Sequence, residues 1–194
     1  MNYLAHLYFA KPTTYSMVGN LMGDFMKGVD ITELPTATAK GVLNHRLIDK
    51  YTDNHPIVRQ LKPRITTERR RFAGLIIDVA FDHFLARHWQ QYHSQPLPDF
   101  CQQVYDLLNQ YPHSLPGRMP RVVESMSQDD WLSGYHRMQL TGQAIDSIAK
   151  RIRFNNNLAG AISEVELHYQ AFEQAFLTFF PQLQAHVQHH NIEQ

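Results

Sequence analysis

From Arg71 to Trp89 the chain reads Arg-Phe-Ala-Gly-Leu-Ile-Ile-Asp-Val-Ala-Phe-Asp-His-Phe-Leu-Ala-Arg-His-Trp, with no proline and a single glycine. Its apolar residues recur at helical intervals, so the stretch predicts a helix. At about 100° per residue, Leu75, Asp78, Asp82, Leu85 and Trp89 share one narrow stripe. Ile76, Val79 and His83 lie beside it, and Ile77, Phe81 and Phe84 fall on the far side. A helix this apolar all round is buried. Two aspartates inside it cannot stay ionised without a cation or strong donors. Asp78 and Asp82 therefore require arginines or a metal.

Other segments also read as helix, and none shows strand alternation. Helices are predicted over roughly 2–9, from Ser16 as cap to about Met26, over 36–52, and over 99–111. Thr66 or Thr67 caps the central helix, and 92–98 and 112–120 are linkers. Ser127 and Asp130 resemble a capping box, opening a helix to about Gly142 that is followed by another through Ile152. A last long helix is predicted to end near Phe180, where Pro181 kinks or restarts it. The expected architecture is an all-α, single-domain helical bundle spanning residues 1–194, a size that supports a real core.

Net charge is +0, so nothing global points to nucleic acid or an anionic membrane. Cys101 is the lone cysteine, which excludes an internal disulfide and a thiolate metal site. Asn2 and His6 interrupt the apolar N-terminus, and no run is long enough to cross a bilayer. The expectation is a soluble cytoplasmic protein.

Residues four apart share a helix face. At that spacing lie Asn2 and His6; Asn20 and Asp24, flanked by Gly19 and Gly23; His45, Asp49 and Asp53; and Asp78 and Asp82. Glu164 with His168 is the best pair of the second half. Any one pair alone reads as a salt bridge or a solvated face. Four successive segments each aiming Asp, His or Asn at a neighbour read differently, because bundle-core metal sites are built that way. Mixed oxygen and imidazole donors suit Mn²⁺, Mg²⁺, Fe²⁺ or Zn²⁺. Zincin, phosphate-loop and nucleophile-elbow motifs are absent. Glu68-Arg69-Arg70-Arg71, with Arg64 nearby, is a local basic cluster.

Four segments together are similar to the acyl carrier protein phosphodiesterase family. They are Asn-Tyr-Leu-Ala-His at 2–6, Gly-Asn-Leu-Met-Gly-Asp-Phe at 19–25, His-Arg-Leu-Ile-Asp at 45–49 with Thr-Asp at 52–53, and Asp-His-Phe-Leu-Ala-Arg-His-Trp at 82–89. Trp131 and His168-Tyr169 are softer matches. The resemblance implies a divergent HD-domain-like phosphohydrolase that uses Mn²⁺. It implies hydrolysis of the phosphodiester that joins 4′-phosphopantetheine to the serine of holo-acyl carrier protein. The sequence departs from the HD superfamily in containing no His-Asp dipeptide.

Combining the resemblance with the helical pairs, Asp24, His45, Asp82 and His83 are the expected metal ligands. Asp49 and Asp78 are ligands, orienting groups or the base for water. Arg46 or Arg87 neutralises the phosphate, and His6 is a ligand or a donor to the leaving oxygen. The carrier is acidic by the same resemblance, so Arg64, Arg69, Arg70 and Arg71 are the expected docking surface, with Arg118 and Arg121 as second choices. Two other readings are a nucleotide phosphohydrolase on the same scaffold and a non-catalytic helical binding module whose carboxylates pair with Arg46, Arg71 and Arg87.

Overall fold

The computed structural model describes residues 1–194, all in helices, turns and loops, with no strand. The first helices are α1 (Tyr3–Tyr8), α2 (Thr14–Met22), α3 (Thr36–Asn54), α4 (Pro56–Leu61) and α5 (Ala73–Arg87). They are followed by α6 (Trp89–Tyr92), α7 (Leu97–Asn109), α8 (Met119–Gln128), α9 (Trp131–Gly134) and α10 (Met138–Arg151). The chain ends with α11 (Ile162–Leu167) and α12 (Tyr169–His190). No helix is long and apolar enough to cross a membrane.

Helix α5 is the axis of the bundle. Ile76, Ile77, Val79, Ala80, Phe81, Asp82, His83, Phe84 and Leu85 are all buried, as an all-round apolar helix requires. Phe81 and Phe84 meet Phe176 of α12, which stacks on Phe180 at 5.0 Å. Burying each such ring contributes about 1.5–3 kcal/mol. This aromatic seam carries α12 through Pro181, so the break expected there does not occur. Phe179, Phe180 and Leu183 are buried on both sides of the proline, and their packing outweighs the one lost backbone bond.

Two further boundaries differ from the pattern reading. Thr13, not Ser16, caps α2. The Ser16 hydroxyl instead accepts from the Lys11 N–H and donates to Glu193. Ser127 lies inside α8 and bonds back to the Val123 carbonyl, while Asp130 takes a left-handed conformation before α9.

Helices α2 and α3 cross in backbone contact. A Cβ on Gly19 would overlap the Thr38 carbonyl oxygen, and one on Gly41 would lie 2.9 Å from the Gly19 Cα. Only glycine permits this approach. It brings the end of α2 against the middle of α3, beside His45.

Candidate metal centre

His6 projects from α1, and His45 and Asp49 project from α3 one turn apart. Their ligand atoms lie within 4.8 Å of one another. The two imidazoles stack, with ring centroids 3.7 Å apart. His6 Nε2 is 3.1 Å from Asp49 Oδ1, and His45 Nε2 is 3.1 Å from Asp49 Oδ2. Asp24, on the turn Gly23–Phe25 after α2, is 3.8 Å from His45 Nε2. The Met1 amino group donates to Asp78 of α5 at 2.8 Å and lies 3.7 Å from Asp49.

His45 is held in one tautomer. Its Nδ1–H donates to the Asn20 carbonyl at 2.7 Å, because a carbonyl can only accept. That leaves Nε2 facing the carboxylates. Asn20 is itself fully buried and pinned: its amide donates to Ser16 O and to Glu193, and its Oδ1 accepts from Asn44. Gly23 makes room for the ring, since a Cβ there would overlap it.

The charges around the cluster oppose one another. Burial lowers the His6 pKa to about 3, helped by His45, so this imidazole is neutral. Burial also acts against a charged His45, but Asp49 and Asp24 outweigh it and raise its pKa. Burial would raise Asp49; the two histidines instead hold it far below the usual carboxylate range. Desolvation raises Asp24 from its ordinary value, against the pull of His45, although its side chain keeps 41% of its surface exposed. The Met1 ammonium, although buried, is pushed up to about 10 by Asp78 and Asp49.

A cation fits these donors. His6 is buried, and neither ring nitrogen has a hydrogen-bond partner; the approach to Asp49 lacks hydrogen-bond geometry. Buried polar atoms are rarely left so. Two imidazoles and a carboxylate converging on one point are a donor set for Mn²⁺, Fe²⁺ or Zn²⁺.

Asp82 and His83 are placed outside this convergence. Asp82 is 0% exposed and accepts from the N–H groups of Asn2, Leu4 and Ala5. It thus satisfies the first turn of α1 from a distant helix, the task a local cap normally performs. Burial nonetheless pushes its carboxyl up to about 7. His83 donates from Nδ1 to the Tyr135 carbonyl at 2.7 Å, and its Nε2 faces the Tyr169 hydroxyl at 3.2 Å. Both of its nitrogens are committed. Arg87 lies near His83 and Tyr169, and Arg46 and Asp53 are exposed.

The basic cluster also divides. Arg69 is a structural hub: it pairs with Glu164 at 2.9 Å and donates to the carbonyls of Asn157 and Ala159. Arg70 donates to the Ile65 carbonyl, and Arg71 donates to Asn155 O while covering the rings of Phe72 and Phe154. Arg64 is exposed. Sequence reasoning missed the Met1 amine, which reaches Asp78 and Asp49. A backbone amine carries no spacing signal.

The family model for acyl carrier protein phosphodiesterase matches residues 1–183. The chain belongs to that family. A relative named acyl carrier protein phosphodiesterase from Yersinia pestis is 35% identical, over 99% of this chain and 100% of the relative. One from Serratia proteamaculans (strain 568) is 37% identical over 94% and 95% of the two chains. One from Enterobacter sp. (strain 638) is 34% identical over 94% and 95%. No solved structure matches.

Proposed function

We propose that the protein is a divalent-metal-dependent phosphodiester hydrolase that releases 4′-phosphopantetheine from holo-acyl carrier protein, leaving the apo-carrier. The family membership supports the substrate. The observation that carries the metal is the partnerless, buried, neutral His6 converging with His45 and Asp49.

In this reading His6, His45 and Asp49 hold the ion, and Asp24 completes the donors from the solvent side. Mn²⁺ is the leading candidate, with Mg²⁺, Fe²⁺ and Zn²⁺ as alternatives for the same donors. When bound, the ion supplies Lewis acidity toward the phosphoryl oxygens. Asp78, a half-buried carboxylate beside Asp49, accepts the proton of the attacking water. The water oxygen bonds to phosphorus, the bond from phosphorus to the carrier's serine oxygen breaks, and that oxygen takes up a proton from solvent while Asp78 returns to solvent the one it accepted. Asn20 fixes the His45 ring, and Gly23 gives it space. Asp82 acts through the backbone, by holding the first turn of α1 that carries His6.

Dialysis against EDTA followed by addition of Mn²⁺, Mg²⁺, Fe²⁺ or Zn²⁺ tests the metal. Hydrolysis of holo-carrier is expected to vanish and return. Undiminished hydrolysis in the presence of the chelator would refute the metal. Hydrolysis of free nucleotides with none of the carrier would favour the nucleotide reading instead.

A further inference from the structure

Beside the start of α1 lies a cavity of about 380 Å³. That is within the roughly 300–1,000 Å³ of sites for small organic ligands. Its walls are the start of α1, the turn through α9, and the outer face of α10. Asn2, Tyr3, Trp131, Gln143, Ser147 and Arg151 supply its polar and aromatic groups. Leu140, Ala144 and Ile148 supply apolar surface between them.

The cavity is joined to the candidate metal centre by three consecutive residues. Met1 touches Asp78 with its amine, and Asn2 and Tyr3 line the cavity. Burial raises the Tyr3 phenol's pKa and Asp24 raises it further, while Arg151 and Arg118 pull it back. Tyr3 therefore sits within electrostatic reach of the cluster's Asp24 and of the cavity's Arg151. Arg118 lies over the ring of Phe25, next to Asp24. Arg151 on the cavity wall and Arg118 over Phe25 are thus two guanidinium groups in the surroundings of Tyr3, where a phosphate would be matched by charge.

We infer that this cavity receives the pantetheine arm of the substrate, with its phosphate end at Tyr3 and Arg151. The inference rests on the proposed reaction and names the pocket for its leaving group. The arm is a phosphate followed by a branched apolar carbon, two amides and a thiol. Arg151 matches the phosphate, Gln143, Ser147 and Asn2 offer donors and acceptors to the amides, and Trp131, Leu140 and Ile148 cover the apolar parts. Asn2 is held in place by donating to the Tyr135 hydroxyl at 2.6 Å.

Trp131 makes the occupancy measurable. The protein has two tryptophans; Trp89 is 2% exposed in the core, whereas Trp131 is half-buried on the cavity wall. Titrating the intact protein with 4′-phosphopantetheine should give a saturable change in tryptophan fluorescence. Ala144→Phe and Ser147→Phe fill the cavity from α10, and each should weaken that binding by about tenfold or more. Unchanged thermal unfolding of at least one of them certifies its fold. Equal affinity in wild type and both variants would overturn the inference, as would binding seen by equilibrium dialysis with no Trp131 signal. Release of the arm from holo-carrier by wild type is assayed separately by mass. If binding depends on Ala144 and Ser147 but no arm is released, the cavity stands and the reaction falls. If the arm is released but the filled variants bind as wild type does, the reaction stands and the cavity falls.

Discussion

Gly23→Ala removes no chemical group, yet it should disable the proposed metal centre. Gly23 has helical backbone angles, φ −47° and ψ −37°, so alanine is not strained there. The cost comes from the new Cβ, which would overlap Cγ, Cδ2 and Nδ1 of His45. That ring cannot retreat freely, since Nδ1 is bonded to Asn20 O and its face is stacked on His6. Overpacking of this kind costs about 1–3 kcal/mol. It also turns Nε2 away from Asp49. Metal linkage gives a second readout. An ion at about 100 times its Kd stabilises a folded protein by about 2.7 kcal/mol. For a chain of this size that is a rise in Tm of roughly 5–10 °C. Thermal melts with EDTA and with Mn²⁺ should show that rise in wild type and little of it in Gly23→Ala. Gly74→Ala is the control. A Cβ there meets nothing within 4 Å, and Gly74 lies inside α5, so this change should stabilise by about 0.5–1 kcal/mol and keep the metal response. A Gly23→Ala protein with the full Mn²⁺-induced rise and full activity would refute the placement of His45 in the site.

Asp82→Ala should unfold more easily by about 3 kcal/mol, because two buried N–H groups and one part-buried N–H lose their acceptor at about 1–3 kcal/mol each, offset in part by removal of a buried carboxyl. Urea melts should show that loss with the Mn²⁺ stabilisation retained; loss of the metal response without loss of stability would return Asp82 to the ligands. Glu164 titrates below its ordinary 4.5: burial raises it, but the Arg69 pair and the two Thr66 donors outweigh that. A depressed carboxylate contributes stability above its unfolded pKa and loses it as pH falls below about 4.5. Glu164→Gln should therefore be less stable than wild type at pH 7, and the two should converge in acid, by urea midpoints across pH. Arg64→Glu with Arg70→Glu, leaving Arg69 in place, should raise KM for the acidic carrier, change kcat little and flatten the salt dependence of kcat/KM. Equal slopes would place docking elsewhere.

The helical bundle was legible because periodicity is a local signal, and α5 declares its burial by being apolar on every side. The polar pairs at four-residue spacing singled out His6, His45, Asp49 and Asp24 for the same reason. Spacing could not separate Asp78 from Asp82. Both sit in one stripe of α5, but Asp82 meets the N-terminus of α1, from 77 to 80 residues away in sequence, and a backbone acceptor leaves no mark in residue identity. His83 was equally unreadable, since its partner Tyr135 contributes a carbonyl that every residue possesses. Arg69 looked like free surface charge until Glu164, 95 residues on, was brought to it. Pro181 misled because aromatic packing along α12 overrode its local preference to break a helix.

The central claim is tested most directly by the mass of holo-acyl carrier protein before and after incubation with this protein and Mn²⁺, with an EDTA-treated sample alongside. The account predicts that the carrier loses its 4′-phosphopantetheine, that free 4′-phosphopantetheine appears in equal amount, and that Asp49→Asn and the EDTA sample leave the mass unchanged. A carrier whose mass is unaltered under every metal condition, or one stripped equally by Asp49→Asn, would contradict it.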